Sequence, residues 1–182
     1  MPTIYTHGVV GLGAAGAAFP RQGSWLFWIL AGFLPMIPDF DAFSTAPYGT
    51  TFGHRGFTHS FVFALGVALI TAGLTFKYLG MRFWILAIFF FAITASHGVL
   101  DAFTSGGYGI LWLWPFSDAR FGPWGPIPVA DIGFDWPNPW TSRAVCFELL
   151  WIWLPTALAV GLIGVGRYVG RRFRRWRGAR HK

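Results

Sequence analysis

Histidine and aspartate residues recur at the edges of the long apolar stretches of this 182-residue chain. Hydrophobic residues make up 54% of the sequence and charged residues only 12%. Ionisable side chains at membrane depth are energetically costly and usually face a cavity or a bound ion. We therefore predict one shared metal site with seven candidate ligands: His7, Asp39, Asp41, His54, His59, His97 and Asp101.

The mixture of imidazole and carboxylate ligands suits zinc best, with manganese or iron as alternatives, because calcium and magnesium prefer oxygen ligands. A bound zinc ion acidifies its water and polarises a phosphoryl or carbonyl oxygen. The ligand set therefore predicts a metal-dependent hydrolase. Paired metals would favour a phosphoester substrate, and the number of ions stays open. The predicted catalytic residues are Arg55, Asp39 and Asp101.

Two pairs of candidate ligands have informative spacing. His97 and Asp101 stand four residues apart in a helical context. This spacing places them on one helix face, where they can chelate one ion or form a hydrogen-bonded pair. Asp39 and Asp41 follow Pro38, where we expect the chain to have left its helix. Two carboxylates this close together can grip or bridge divalent cations.

The segment around Arg55 joins a loop to a helix. Gly56 indicates a loop, and the apolar run that begins at Phe57 indicates a helix start. We expect His54 to approach the site from the loop and His59 from the first helical turn. The guanidinium of Arg55 presents a planar donor fork that fits a phosphate or a carboxylate. The alternative for this residue is an arginine that snorkels at the membrane interface.

The overall composition predicts an integral membrane protein, an all-α polytopic bundle of four to five transmembrane helices with a long loop rich in Trp, Pro and Gly. A helical span needs about 20 apolar residues. Three stretches approach this length: 57–76, 83–103 and 147–166. Two shorter stretches, 8–19 and 25–37, are weaker candidates, and residues 8–19 could form a re-entrant segment that does not cross the membrane. No cleavable signal peptide is evident. We expect one domain over residues 1–166 and a basic tail over residues 167–182.

Positive charge is concentrated at the C-terminus, where eight of the fourteen Lys and Arg residues lie after residue 166. Such a run after an apolar helix is typical of a cytoplasmic anchor that attracts anionic lipids, so nucleic acid is not the expected partner. Lys77, Arg82 and Arg21 lie between apolar stretches. If those loops and the tail are cytoplasmic, five crossings place the candidate ligands at the outer face of an inner membrane.

Several common motifs are absent from the sequence. Glu148 is the only glutamate and has no histidine nearby, which excludes an HExxH metalloprotease. No G-x-S-x-G nucleophile elbow is present. Cys146 is a single cysteine, so an internal disulfide is ruled out. Residues 11–16 match G-x-G-x-x-G but follow no predicted strand, and close packing of membrane helices explains these small residues better.

Four segments carry a family resemblance: IPDFD at 37–41, HRGFTHS at 54–60, SHGVLDAFT at 96–104 and LWPFS at 113–117. In this order they resemble the signatures of the bacterial and archaeal inner-membrane metal-dependent hydrolases of the LexA-regulated YdjM type. The likeness covers roughly residues 1–118, and HRGFTHS is its most specific part. That family is similar, more distantly, to the zinc-dependent phospholipase C and single-strand nuclease group of all-helical enzymes with several zinc ions.

The distant likeness implies a shared ligand set. His97 and Asp101 would bind metal together with an earlier aspartate and an earlier histidine, for which the candidates are Asp39 or Asp41 and His54 or His59. The nuclease group also uses a later histidine pair, and this chain has no histidine between residues 98 and 180. A full three-metal cluster is therefore not expected. Later carboxylates could come from Asp118, Asp131 or Asp135, for which turn-forming roles are the alternative.

The long connection over residues 105–146 is the least helical part of the sequence. Its tryptophans could form an interfacial belt or belong to a lid over the site: Trp112, Trp114, Trp124, Trp136 and Trp140. If it lies on the outer face beside the metal ligands, a lipid headgroup or a lipid-linked phosphate is the expected substrate.

Two further functions remain as alternatives. The histidines and aspartates could line the path of a divalent metal or proton transporter, although residues 61–76 and 83–91 contain almost no polar groups to continue such a path. His97 and Asp101 could instead act as the relay pair of a metal-free lipid phosphatase, although the PSGH and upstream Ser-Arg motifs of such enzymes are absent. A purely structural membrane scaffold is the remaining alternative.

Overall fold

The computed structural model describes residues 2–125 and 143–179. Within these residues the regular elements are helical, and an isolated antiparallel bridge pairs Ile110 with Phe121. This confirms the predicted all-α membrane bundle. The α-helices are α1 (Ile4–Ala18), α2 (Trp25–Phe33), α3 (Phe61–Thr75), α4 (Phe83–Ala102), α5 (Arg143–Glu148) and α6 (Leu154–Ala179).

In the part of the chain that the structure describes, three helical segments are long and apolar enough to cross a membrane: Trp25–Phe43, Phe83–Ala102 and Cys146–Phe173. Helices α1 and α3 are shorter, with 15 residues each. The predicted helix over residues 57–76 begins later than expected, because a separate 3-10 turn occupies Phe57–His59. Ser60 then caps α3, and its hydroxyl accepts a hydrogen bond of 3.1 Å from the backbone of Phe63.

The segment that carries Asp39 and Asp41 differs from the sequence prediction. We expected the chain to leave its helix after Pro38, but a 3-10 helix runs over Leu34–Phe43 and includes this proline. Proline lacks the N–H that an α-helix requires. Pro35 and Pro38 stand three residues apart, which equals one turn of a 3-10 helix. The prolines therefore change the winding of the helix but do not end it.

Helix α4 lies at the centre of the bundle and forms an antiparallel pair with α3. Its buried side chains Leu86 and Phe90 pack against Phe27 of α2 in an apolar core. Helix α1 approaches α2 closely, since a side chain at Gly11 would overlap the backbone of Ala31. The glycines of the G-x-G-x-x-G match therefore pack helices together, as predicted.

The last helical segment runs beside α1 in the same direction. A π-helical turn, Leu149–Trp153, connects α5 to α6. Trp153 donates a hydrogen bond of 2.7 Å to Thr6 near the start of α1, and Val160 contacts Gly16 near its end. Helix α6 continues past residue 166, so the basic tail begins within a helix.

Glu148 fixes this last segment to the start of α1. It accepts hydrogen bonds from the Thr3 and Thr6 hydroxyls, both at 2.6 Å, and from the Thr3 backbone N–H at 2.5 Å. The side chain is 5% exposed. The single glutamate thus satisfies N–H and O–H donors at a helix N-terminus.

Candidate metal centre

Two histidines present one ring nitrogen each to the same point. His97, in the last turns of α4, directs Nδ1 at the carbonyl of Pro35, 2.7 Å away. His59 directs Nδ1 at the carboxylate of Asp41, 3.3 Å away. Both acceptors require a donor, so they assign the ring proton to Nδ1 in each histidine. The two Nε2 atoms then lie only 3.0 Å apart, and each directs a lone pair toward the other.

Two carboxylates complete this arrangement. An oxygen of Asp39 lies 3.3 Å from Nε2 of His97 and 3.9 Å from Nε2 of His59. An oxygen of Asp101 lies 3.9 Å from Nε2 of His97 and 3.7 Å from Nε2 of His59. Ligand atoms at zinc bond lengths of about 2.1 Å stand about 3.4 Å apart in a tetrahedron. We call this set the four-ligand cluster: Asp39, His59, His97 and Asp101, whose ligand atoms all lie within 4.8 Å of one another.

The chemistry of the four-ligand cluster fits a divalent cation. Its members are between 0% and 4% exposed, and neither Asp39 nor Asp101 has a hydrogen-bond partner among the described residues. Buried carboxylates and facing lone pairs are unfavourable unless a positive charge compensates them. Burial lowers the pKa of the His59 imidazole, which lies outside the membrane-spanning segments. A neutral imidazole is the form that binds metal.

Asp41 has different partners from Asp39. It contacts Nδ1 of His54 at 2.6 Å, the hydroxyl of Thr58 at 2.5 Å and Nδ1 of His59 at 3.3 Å. Two residues along a 3-10 helix differ by about 240° in direction, so Asp39 and Asp41 approach different nitrogens of the His59 ring. The contact of Asp41 with Nδ1 orients the ring so that Nε2 faces His97. Asp41, His54 and His59 also form a separate group of potential ligands.

His7 reaches the cluster from α1. The imidazole is fully buried, stacks on His97 with 3.7 Å between ring centroids, and places Nε2 3.6 Å from Asp101. Neither ring nitrogen has a hydrogen-bond partner among the described residues. The predicted ligands are thus brought to one end of the bundle, with His7 at the edge of the four-ligand cluster.

Arg55 occupies a position that the sequence did not suggest. The side chain is 1% exposed, and Nε lies 3.4 Å from Asp101. The remaining nitrogens donate to the carbonyl of Gly106 at 2.6 Å and the hydroxyl of Thr104 at 3.2 Å. Its φ of 65° lies in the left-handed region, which is rare for a side chain of this size. These contacts favour a residue that positions Asp101 over one that clamps a substrate.

Arg120 is a functional candidate that sequence reasoning missed. It donates hydrogen bonds to four backbone carbonyls in two loops, with lengths from 2.7 to 3.4 Å: Gly49, Thr50, Arg55 and Gly109. The only signal for this role in the sequence is that Arg120 is the one charged residue in the otherwise uncharged stretch after Asp118. By tying residues 49–55 to residues 109–120, it secures the loops that carry Arg55 and border the cluster.

The remaining predicted residues fall outside the cluster or the described chain. Asp118 is exposed and belongs to neither potential ligand group. Asp131, Asp135, Trp136 and Trp140 lie outside the described residues. Trp112 packs between Phe61 and Phe121, with ring centroids 5.7 and 5.1 Å away, so it belongs to the protein interior.

Comparison with known proteins identifies the family of this chain. The model of the YdjM inner membrane protein family matches residues 1–173, which include both potential ligand groups. The chain belongs to this family. It is also 39% identical over 178 residues to the inner membrane protein YbcI of Escherichia coli (strain K12), a match that covers 90% of this chain and 97% of that protein. No solved structure matches the chain.

The family match extends the likeness found from sequence motifs to almost the whole chain. It takes in the start of α1, where His7 lies, and the apolar part of α6. As a family member with three spans of sufficient length, the chain is an inner membrane protein. The buried histidines and aspartates of this family member are arranged so that they could bind a metal ion.

Proposed function

We propose that the chain is a membrane-embedded metal-dependent hydrolase whose metal ion, most favourably zinc, is held by the four-ligand cluster. The observation that carries the proposal is the pair of facing Nε2 atoms of His59 and His97, 3.0 Å apart and flanked by two carboxylates that accept no hydrogen bond from the described residues. Such a ligand set also suits manganese or iron. When bound, the ion would supply Lewis acidity and lower the pKa of a water molecule.

The protein residues have distinct roles in this proposal. Asp39 and Asp101 neutralise the ion and hold it in place. Asp41 keeps the His59 ring in the tautomer that leaves Nε2 available, and Pro35 does the same for His97. Arg55 lies 3.4 Å from Asp101 and positions that carboxylate. The catalytic assignment of Arg55, Asp39 and Asp101 stays a prediction.

The surroundings of the cluster support a lipid phosphoester as the substrate. Large aromatic side chains near it are exposed, among them Phe43 and Phe116 at 85% and Tyr108 at 64%. Tyrosine rings such as that of Tyr108 prefer the membrane interface, where phospholipid headgroups lie, and exposed phenylalanine rings can contact the apolar part of a lipid. We propose a lipid headgroup or a lipid-linked phosphate as the substrate class.

The two alternatives have less support. Between the cluster and the other end of the bundle, the described core consists of apolar residues such as Phe27, Leu86 and Phe90, which offer no path to a transported ion. Nε2 of His97 lies 3.9 Å from Asp101, too far for the hydrogen bond of a metal-free relay pair.

Hydrolysis by the purified full-length chain tests the proposal. Against a panel of phospholipids and lipid-linked phosphates, we expect activity that disappears with a chelator and returns with zinc or manganese. His97→Ala should be inactive, whereas His181→Ala, the same change at the histidine outside the predicted ligand set, should retain activity. Metal-loaded protein that cleaves no ester but moves divalent ions into proteoliposomes would favour the transporter instead.

We also propose that the cluster faces the extracytoplasmic side. The basic residues after residue 166 and those near residues 77–82 favour the cytoplasm for the opposite end. Alkaline phosphatase, which is active only outside the cytoplasm, should be active when fused after Gly107 and inactive when fused after Lys182. The reverse pattern would overturn the orientation and leave the metal proposal intact.

A further inference from the structure

A groove at the other end of the bundle has no role in the proposed hydrolase. Its volume is about 580 Å³, and six residues line it: Arg21, Ile163, Gly166, Arg167, Gly170 and Arg171. An adjoining depression of about 450 Å³ shares the three arginines and extends to Gln22 and Met81. We call the first of these the arginine groove.

The arginine groove and the four-ligand cluster lie at opposite ends of the bundle. Helix α1 carries His7 at its start and ends at Ala18, three residues before Arg21. Helix α4 begins just after Met81 and reaches the cluster in its last turns. The 20 residues of α4 span about 30 Å, close to the thickness of the hydrocarbon core.

The three arginines of the groove lack carboxylate partners. Within the described residues, the ion pairs lie around the four-ligand cluster, and none involves Arg21, Arg167 or Arg171. Three guanidiniums around one groove repel one another. The negative charge of a phosphate group reduces this repulsion, and guanidinium N–H groups donate charge-assisted hydrogen bonds to its oxygens.

The floor of the groove is apolar and open. Gly166 and Gly170 lie four residues apart on one face of α6, and a side chain added at either glycine would meet no atom within 4 Å. Ile163 continues this face toward the membrane interior. Small residues next to a bulky apolar one leave a shallow strip that an acyl chain can follow, while the charged end stays at the interface.

We infer that the arginine groove is a binding site for one anionic phospholipid, with the phosphate between Arg21, Arg167 and Arg171 and an acyl chain along Ile163 and the two glycines. Basic pockets between membrane helices are a recognised form of lipid site. This inference rests on the groove alone and is independent of the proposed hydrolase.

Native mass spectrometry of the full chain released from nanodiscs tests the inference. With phosphatidylglycerol, we expect retained lipid on the wild type and about a 25-fold loss in Arg21→Ala/Arg171→Ala, since the hydrogen bonds of each groove arginine to the phosphate contribute about fivefold. Arg82→Ala/Arg172→Ala is the matched control, because it removes the same charge from exposed arginines that do not line the groove. It should retain the lipid.

Two further arms separate a lipid site from simple charge attraction. Gly166→Leu keeps every charge but fills the floor of the groove, so it should also reduce retention of phosphatidylglycerol. Phosphatidylcholine should be retained poorly by all variants. Equal losses in the two double variants, full retention by Gly166→Leu, or equally tight binding of soluble glycerol phosphate would each overturn the inference.

Discussion

The two ends of the bundle differ in the burial and in the partners of their charged side chains. At the cluster end, carboxylates and imidazoles are buried, and the rings of His59 and His97 each direct one nitrogen at a carboxylate or a carbonyl. At the groove end, arginines are exposed and have no carboxylate partner among the described residues. Burial of ionisable groups is tolerated only with compensation, whereas exposed charges need none. This difference supports the proposals that the cluster binds a cation and that the groove binds an anion.

The largest expected effect comes from the balance of charge inside the cluster. Asp101→Ala leaves Arg55 as a buried cation without its carboxylate, which should lower the free energy of unfolding by about 3–5 kcal/mol. Asp118→Ala, a matched change at an exposed aspartate, should alter it by about 0.5 kcal/mol or less. Unfolding of both variants in mixed micelles measures this difference. Equal stabilities would show that Asp101 is not needed to balance a buried charge.

A second prediction separates the two neighbouring aspartates. Asp41→Asn keeps the size of the side chain but weakens its hold on His59, so metal affinity should fall about 10- to 100-fold. Asp39→Asn removes a direct ligand and should lower affinity further. Competition with a chromophoric chelator measures both. If the two variants lose equal affinity, Asp41 binds the ion directly, as the sequence pattern first suggested.

A third prediction concerns the packing that brings α1 and His7 to the cluster. Gly11→Ala inserts a methyl group against the backbone of Ala31 and should destabilise the protein by about 1–3 kcal/mol. Gly66→Ala has open space around it and should stabilise α3 by up to about 1 kcal/mol. Thermal unfolding of the two variants checks the opposite signs. A neutral Gly11→Ala would mean that the helices can move apart freely.

The smallest effect is expected at the loops. Arg120→Ala removes hydrogen bonds to four carbonyls, and the exposed backbone of residues 49–55 should exchange amide hydrogen about tenfold faster. Arg82→Ala removes an exposed arginine elsewhere and is the control. Hydrogen exchange detected by mass spectrometry measures the rates. Unchanged exchange in Arg120→Ala would indicate that other contacts secure these loops.

The sequence predicted the helices and the identity of the clustered residues, because apolar length and the position of ionisable groups reflect local composition. It did not predict the 3-10 winding over Leu34–Phe43, which separates the directions of Asp39 and Asp41. It also missed the burial of Arg55 and the role of Arg120. Both depend on contacts between loops about 50 to 70 residues apart, which no local pattern encodes.

Metal analysis of the purified wild-type chain and His97→Ala, by inductively coupled plasma mass spectrometry, tests the four-ligand cluster most directly. We expect about one or more zinc, manganese or iron ions per wild-type chain and a loss of most of that metal in His97→Ala, with the variant still inserted in the membrane and folded. Wild-type protein purified without chelator that carries no more metal than His97→Ala would contradict a metal centre at this site.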